Sequence, residues 1–153
     1  MNIFSALNRE RYGPIFIALV TSIVCLTVYL KFGLSLTICF KEKNAEFLSV
    51  GISLGAIWAG FIGVIMGLFM TLSNTDILEK LKDSGYIAEL HDYLISSIKG
   101  SILFSIISFT GFFFLKNYFE YYFCVWLGSI IYAVMTFFRA ANISYCIMKK
   151  VHE

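Results

Sequence analysis

The stretch GISLGAIWAGFIGVIMG, from Gly51 to Gly67, decides how the rest of the chain is read. Counted in fours, it sets Gly51, Gly55, Ala59, Gly63 and Gly67 in one series of small residues, with Ala56 and Gly60 beside it. The residues between are mostly large and apolar, among them Ile57, Trp58, Phe61, Ile62 and Val64. Residues four apart share a helix face, so a helix here carries a nearly bare backbone ridge. In water each glycine would cost such a helix about 1 kcal/mol relative to alanine. In lipid the backbone must bond to itself, so the helix persists and the bare ridge admits a close neighbour. The ridge is therefore expected to be a packing seam, made with the protein's own helices, with a second subunit, or along a pore. A spacing of four exceeds the roughly 3.6 residues of a helical turn, so the ridge drifts and predicts a right-handed crossing of about −40°.

Composition points the same way. Of 153 residues, 59% are hydrophobic and 14% charged, where soluble domains run near about 45–50% and about 25%. The chain belongs to the membrane class. At about 20 residues per span, its length allows about four spans and no separate soluble enzyme domain. A net charge of +2 without a long basic run excludes an electrostatic footprint for nucleic acid, so no direct nucleic-acid partner is expected. Cys25, Cys39, Cys124 and Cys146 show no metal-ligand spacing, and no metal or other cofactor is expected. Arg9 and Arg11 precede an apolar run without a small-residue cleavage pattern, which reads as a retained first span rather than a removed signal.

Hydropathy predicts spans over about 14–38, 46–72, 94–115 and 118–140, a polar connection over 73–93 and a tail over 141–153. Pro14 suits the first turn of a helix, where a missing N–H is harmless, and residues 1–13 read as an interfacial lead. The connection SNTDILEKLKDSG offers N-caps at Ser73 to Asp76, a favourable Asp76–Lys80 pair and a stop at Gly85. It predicts a short amphipathic helix with Ile77, Leu78 and Leu81 on one face and Lys80 and Lys82 beside them. That face fits either the headgroup layer or a docked protein. A new helix starts at Tyr86, with Ile87, Leu90, Tyr93 and Leu94 at helical spacing, and leads into the third span, where Ser97, Ser101 and Ser105, with Gly100, Ser108 and Gly111 close by, are available to meet the glycine ridge. The aromatic cluster from Tyr118 to Trp126 marks a membrane boundary, and about 20 residues further on Arg139 marks the other. Arg139 is read either as a boundary arginine reaching lipid phosphate or as one of a ring at the cytoplasmic mouth of an oligomer.

With four spans, both chain ends share a side. That side carries eight Lys and Arg residues, from Arg9 to Lys150, and the other carries four, Lys31, Lys41, Lys43 and Lys116. Short connections rich in positive charge face the cytoplasm, so both termini and the 73–93 connection are expected there. Cys39 and Cys124 fall near the opposite face, which leaves a disulfide between them open in an oxidising compartment.

No catalytic constellation stands out. Glu89, His91 and Asp92 are too close in sequence to face one another on a helix. No acidic residue sits at the centre of a span, which disfavours ion-coupled transport. No enzymatic activity is expected.

The run AGFIGVIMGLF followed by SNTDILEKLKDSGYIAELHDYLISSIKGS, residues 59–69 and 73–101, resembles small four-span bacterial membrane proteins of antiphage defence systems. It most resembles the membrane subunits of Kiwa-type systems. The resemblance contains no catalytic signature. It implies a homo-oligomer such as a tetramer in the bacterial inner membrane, which recruits a cytosolic effector protein.

The expectation is thus an all-α, four-transmembrane-helix bundle with a short amphipathic cytoplasmic helix between spans two and three. Its expected partners are the lipid bilayer, further copies of itself, and a cytosolic protein on the 73–93 and 140–153 surfaces. Its expected role is that of a membrane scaffold or sensor, with a pore-forming channel or membrane-disrupting effector as the alternative.

Overall fold

The computed structural model describes residues 3–32, 44–71, 86–114 and 119–152. Each stretch is one helix: α1 (Ile3–Phe32), α2 (Asn44–Thr71), α3 (Tyr86–Phe114) and α4 (Phe119–His152). All the described residues are helical, and all four helices contain a segment long and apolar enough to cross a bilayer. The chain is a multi-pass membrane protein. The expected amphipathic helix over 73–85 lies outside the described residues, as does Cys39.

The helices pack as antiparallel neighbours. Tyr29 near the end of α1 meets Tyr121 near the start of α4, with ring centroids 5.4 Å apart. Thr110 of α3 meets Tyr122 of α4, and Arg139 of α4 meets Tyr93 of α3. Gly51 of α2 lies against Ser108 of α3. The start of α1 and the end of α4 therefore share one end of the bundle. α1 packs along α4, α4 along α3 and α3 along α2, with a lighter α2–α4 contact. Of the span residues, 39% are buried in α3 and in α4 but 11% in α1 and in α2, so α3 and α4 form the middle of the bundle.

Two clusters make the core. One gathers Leu48, Phe104, Phe123, Trp126 and Ala133; the other gathers Ile62, Leu90, Leu94 and Ala140. Large apolar side chains such as Phe16, Ile23, Ile57, Val64, Phe113 and Phe138 point outward. In water such a surface would be an aggregation liability; in a bilayer it is the lipid-facing coat.

One boundary differs from expectation. Pro14 is not in the first turn: α1 begins at Ile3, and the proline lies inside the helix. Proline there removes the N–H that would bond the carbonyl four residues back, and the helix runs through it without interruption from Ile3 to Phe32. At the other end, residues 141–152 extend the fourth span as helix, and α4 runs for 34 residues in all, a length of about 51 Å at 1.5 Å per residue. That exceeds the roughly 30 Å hydrocarbon layer, so the last turns of α4 extend beyond it.

Candidate functional site

The glycine ridge splits into two halves. A Cβ at Gly51 would sit 2.5 Å from Ser108 Oγ. One at Gly55 would collide with Ser105 Oγ and lie 2.7 Å from the Ser101 carbonyl oxygen. These two glycines bring α2 and α3 close enough for Ser105 Oγ to donate to the Ile52 carbonyl at 3.2 Å. Ala59 is half-buried, and Gly63 and Gly67 are exposed with nothing within 4 Å of an added Cβ. The seam with α3 therefore does not continue along the ridge. Each step of four advances about 40° round a helix, so Gly67 points about 160° away from Gly51. A straight α3 cannot follow that drift. Buried Ile62, eleven residues after Gly51 and about 20° from it, takes over the contact with α3 instead.

On its opposite side, α2 shows a set that the count in fours hides. Ser49, Ser53, Ala56, Gly60, Gly63 and Gly67 are all exposed and lie on one side of the helix. Their separations alternate between four and three. That alternation keeps the set on one face, where a strict four drifts off it.

Two further close approaches lie off the ridge. A Cβ at Gly111 of α3 would lie 2.7 Å from the Tyr122 ring and 2.9 Å from Leu48 of α2; Gly111 is among the small residues of the third span expected to face α2. A Cβ at Gly128 of α4 would collide with Ser22 Oγ and lie 3.0 Å from the Ala18 carbonyl oxygen of α1. Gly128 belongs to no such series, and only the identity of the opposing helix shows its use.

Arg139 sits at a second site. It is half-buried, and its guanidinium carbon lies 4.0 Å from the centroid of the Tyr93 ring. A cleft of about 130 Å³ opens beside it, between α1, α3 and α4. Tyr12, Tyr93, Ser96, Tyr132 and Thr136 share its lining with Arg139, and Pro14 and Ile15 close the α1 side. Gly100 lets α3 approach this wall: a Cβ there would be 3.0 Å from Thr136 Oγ1 and 3.1 Å from the Tyr132 ring. Thr136 Oγ1 is 3.0 Å from both the Tyr132 and Ala133 carbonyls, so its proton stays on its own helix.

The remaining expected site residues, Ile77, Leu78, Lys80, Leu81 and Lys82, lie outside the described residues. His91 and Asp92 are exposed on α3. Among the described residues, no three His, Cys, Asp or Glu side chains gather as a metal site. Cys124 is buried on α4. Comparisons with protein-family models, curated proteins and solved structures find no match for this chain.

Proposed function

We propose that this protein is a membrane scaffold or sensor that self-associates through the outward face of α2 and recruits a cytosolic protein. The observation that carries the reading is the exposed run Ser49, Ser53, Ala56, Gly60, Gly63 and Gly67. In lipid, helices associate by close packing and interhelical hydrogen bonds, because lipid tails are as apolar as leucine. A face of small residues is then the face that gains most from a second helix. The alternation of three and four over Ser53 to Gly67 suits a left-handed pair crossing at about +20°, not the right-handed crossing that the count in fours predicts.

Recruitment rests on the shared end of α1 and α4. Beyond Arg139, α4 continues for 13 residues to His152, or about 20 Å. The beginning of α1, the end of α2 and the beginning of α3 belong to the same end. The bias of eight positive residues against four assigns that end to the cytoplasm. The resemblance to Kiwa-type membrane subunits supplies the setting, bacterial antiphage defence at the inner membrane.

The test takes self-association and recruitment in turn. Gly63→Leu is expected to yield a folded but smaller particle in detergent, measured by light scattering. A particle of wild-type size and stability would end the self-association reading. Leu81→Asp should then abolish co-purification with the cytosolic partner while insertion is kept; retained co-purification counts against docking there.

A pore is the second reading, favoured by Ser49 and Ser53, which would place hydroxyls along the same α2 face in an oligomer. Ion flux through protein-containing liposomes, absent from liposomes carrying Gly63→Leu, would select the pore over the scaffold.

A further inference from the structure

We propose that the cleft between α1, α3 and α4 binds a phosphate group, with the guanidinium of Arg139 as its charged anchor. The reading is independent of self-association, since every lining residue comes from one chain.

Three observations converge on it. The first is the charge. Among the described residues that line the cleft, Arg139 carries the one formal charge. Tyr93 meets the face of its guanidinium at 4.0 Å. A cation–π contact uses that face, while the N–H donors lie in the plane and form the fork that matches phosphate oxygens. Tyr93 thus orients the fork rather than competing with it.

The second is the lining. Tyr12, Ser96 and Tyr132, one from each of the three helices and each carrying a hydroxyl, line one space. Hydroxyls donate to an anion without adding charge. Thr136, with its proton committed to its own helix, contributes wall rather than donor. The cleft of about 130 Å³ has room for a phosphate group.

The third is depth. Arg139 lies 20 residues beyond Phe119 on α4, or about 30 Å along the axis, one hydrocarbon thickness. Tyr12 and Tyr93, both beside the same cleft, mark the same level, where tyrosine rings gather at the membrane–water boundary. Phosphodiesters of phospholipids lie at that depth. The same chemistry admits a free phosphate from the aqueous side, so the experiment separates the two sources.

The full chain is placed in nanodiscs holding phosphatidylglycerol and a glycosyl diacylglycerol without phosphate, and the lipids retained after release are counted by native mass spectrometry. A charge-assisted contact corresponds to a preference on the order of tenfold for the phospholipid. Arg139→Gln is expected to erase it, and Tyr132→Phe, which removes one hydroxyl and keeps the ring, to weaken it. Arg139→Lys keeps the charge but loses the fork, and is expected to fall between. In a second arm, inorganic phosphate is added at millimolar concentration to protein in phosphate-free lipid, and thermal stability is read. Stabilisation that disappears in Arg139→Gln, without lipid preference, supports the site with a free phosphate as its occupant. Wild-type protein that shows neither lipid preference nor phosphate stabilisation overturns the proposal. So does an unchanged preference in Arg139→Gln. If Arg139→Gln does not fold, Tyr132→Phe and Arg139→Lys decide by the same readouts.

Discussion

The indole nitrogen of Trp126 on α4 donates to the hydroxyl of Ser108 on α3 over 2.9 Å, with both side chains buried. Aromatic rings surround that bond: Phe47 of α2 lies 4.5 Å from the indole, centroid to centroid, and Phe104 of α3 lies 5.4 Å away. A polar contact at the meeting point of three helices thus sits inside an apolar cluster. Its hydroxyl belongs to the same serine that closes over Gly51.

Ser108→Ala is expected to remove this bond and leave the indole N–H buried. Interhelical hydrogen bonds in membranes average about 0.6 kcal/mol and reach about 1.7 kcal/mol, and the buried site points to the upper part of that range. Unfolding titrations in detergent should show the loss. Combined with Trp126→Phe, the double change should cost less than the sum of the two, since both remove one bond. Strict additivity would mean that the bond contributes nothing.

The two halves of the glycine series should respond in opposite ways. Gly55→Leu drives a side chain into Ser105 and the Ser101 carbonyl, and should lower the yield of folded, detergent-stable protein sharply. Gly67→Leu meets open space and should leave the fold of a single chain intact. Equal loss at both positions would contradict the placement of α2 against α3.

Gly128→Leu should separate α1 from α4, because its side chain would enter the space of Ser22 and the Ala18 backbone. Cysteines placed at Tyr29 and Tyr121, whose rings are 5.4 Å apart, should be joined by a short bifunctional thiol reagent in the parent protein and lose that cross-link in the Gly128→Leu background. A cross-link of undiminished yield would show that α1 is held by other contacts.

Cys146 is exposed on α4. On the proposed topology, with both chain ends on the cytoplasmic side, an impermeant thiol reagent should leave it unmodified in intact cells and label it after permeabilisation. Labelling before permeabilisation would invert the topology.

The membrane class and four apolar helices were legible in the amino-acid order itself. Hydropathy and length suffice there, because a backbone in lipid has no partner other than itself. The start at Tyr86 was legible because apolar Ile87, Leu90 and Leu94 recur at helical spacing after the stop at Gly85, and the close meeting of Gly51 and Gly55 with the α3 serines because small residues recur at helical spacing on both partners. The end of the seam was not. A count in fours is a property of one helix, whereas the neighbour to which each residue points depends on how the helices stand around one another. Tertiary packing decided that Gly63 and Gly67 face outward, that single Gly128 admits α1, and that Tyr12, Tyr93 and Arg139, far apart in sequence, line one cleft. The physical reason is that side chains in lipid gain little from burial alone. Helix order is therefore set by fine complementarity between whole faces, which no local pattern in a single span contains.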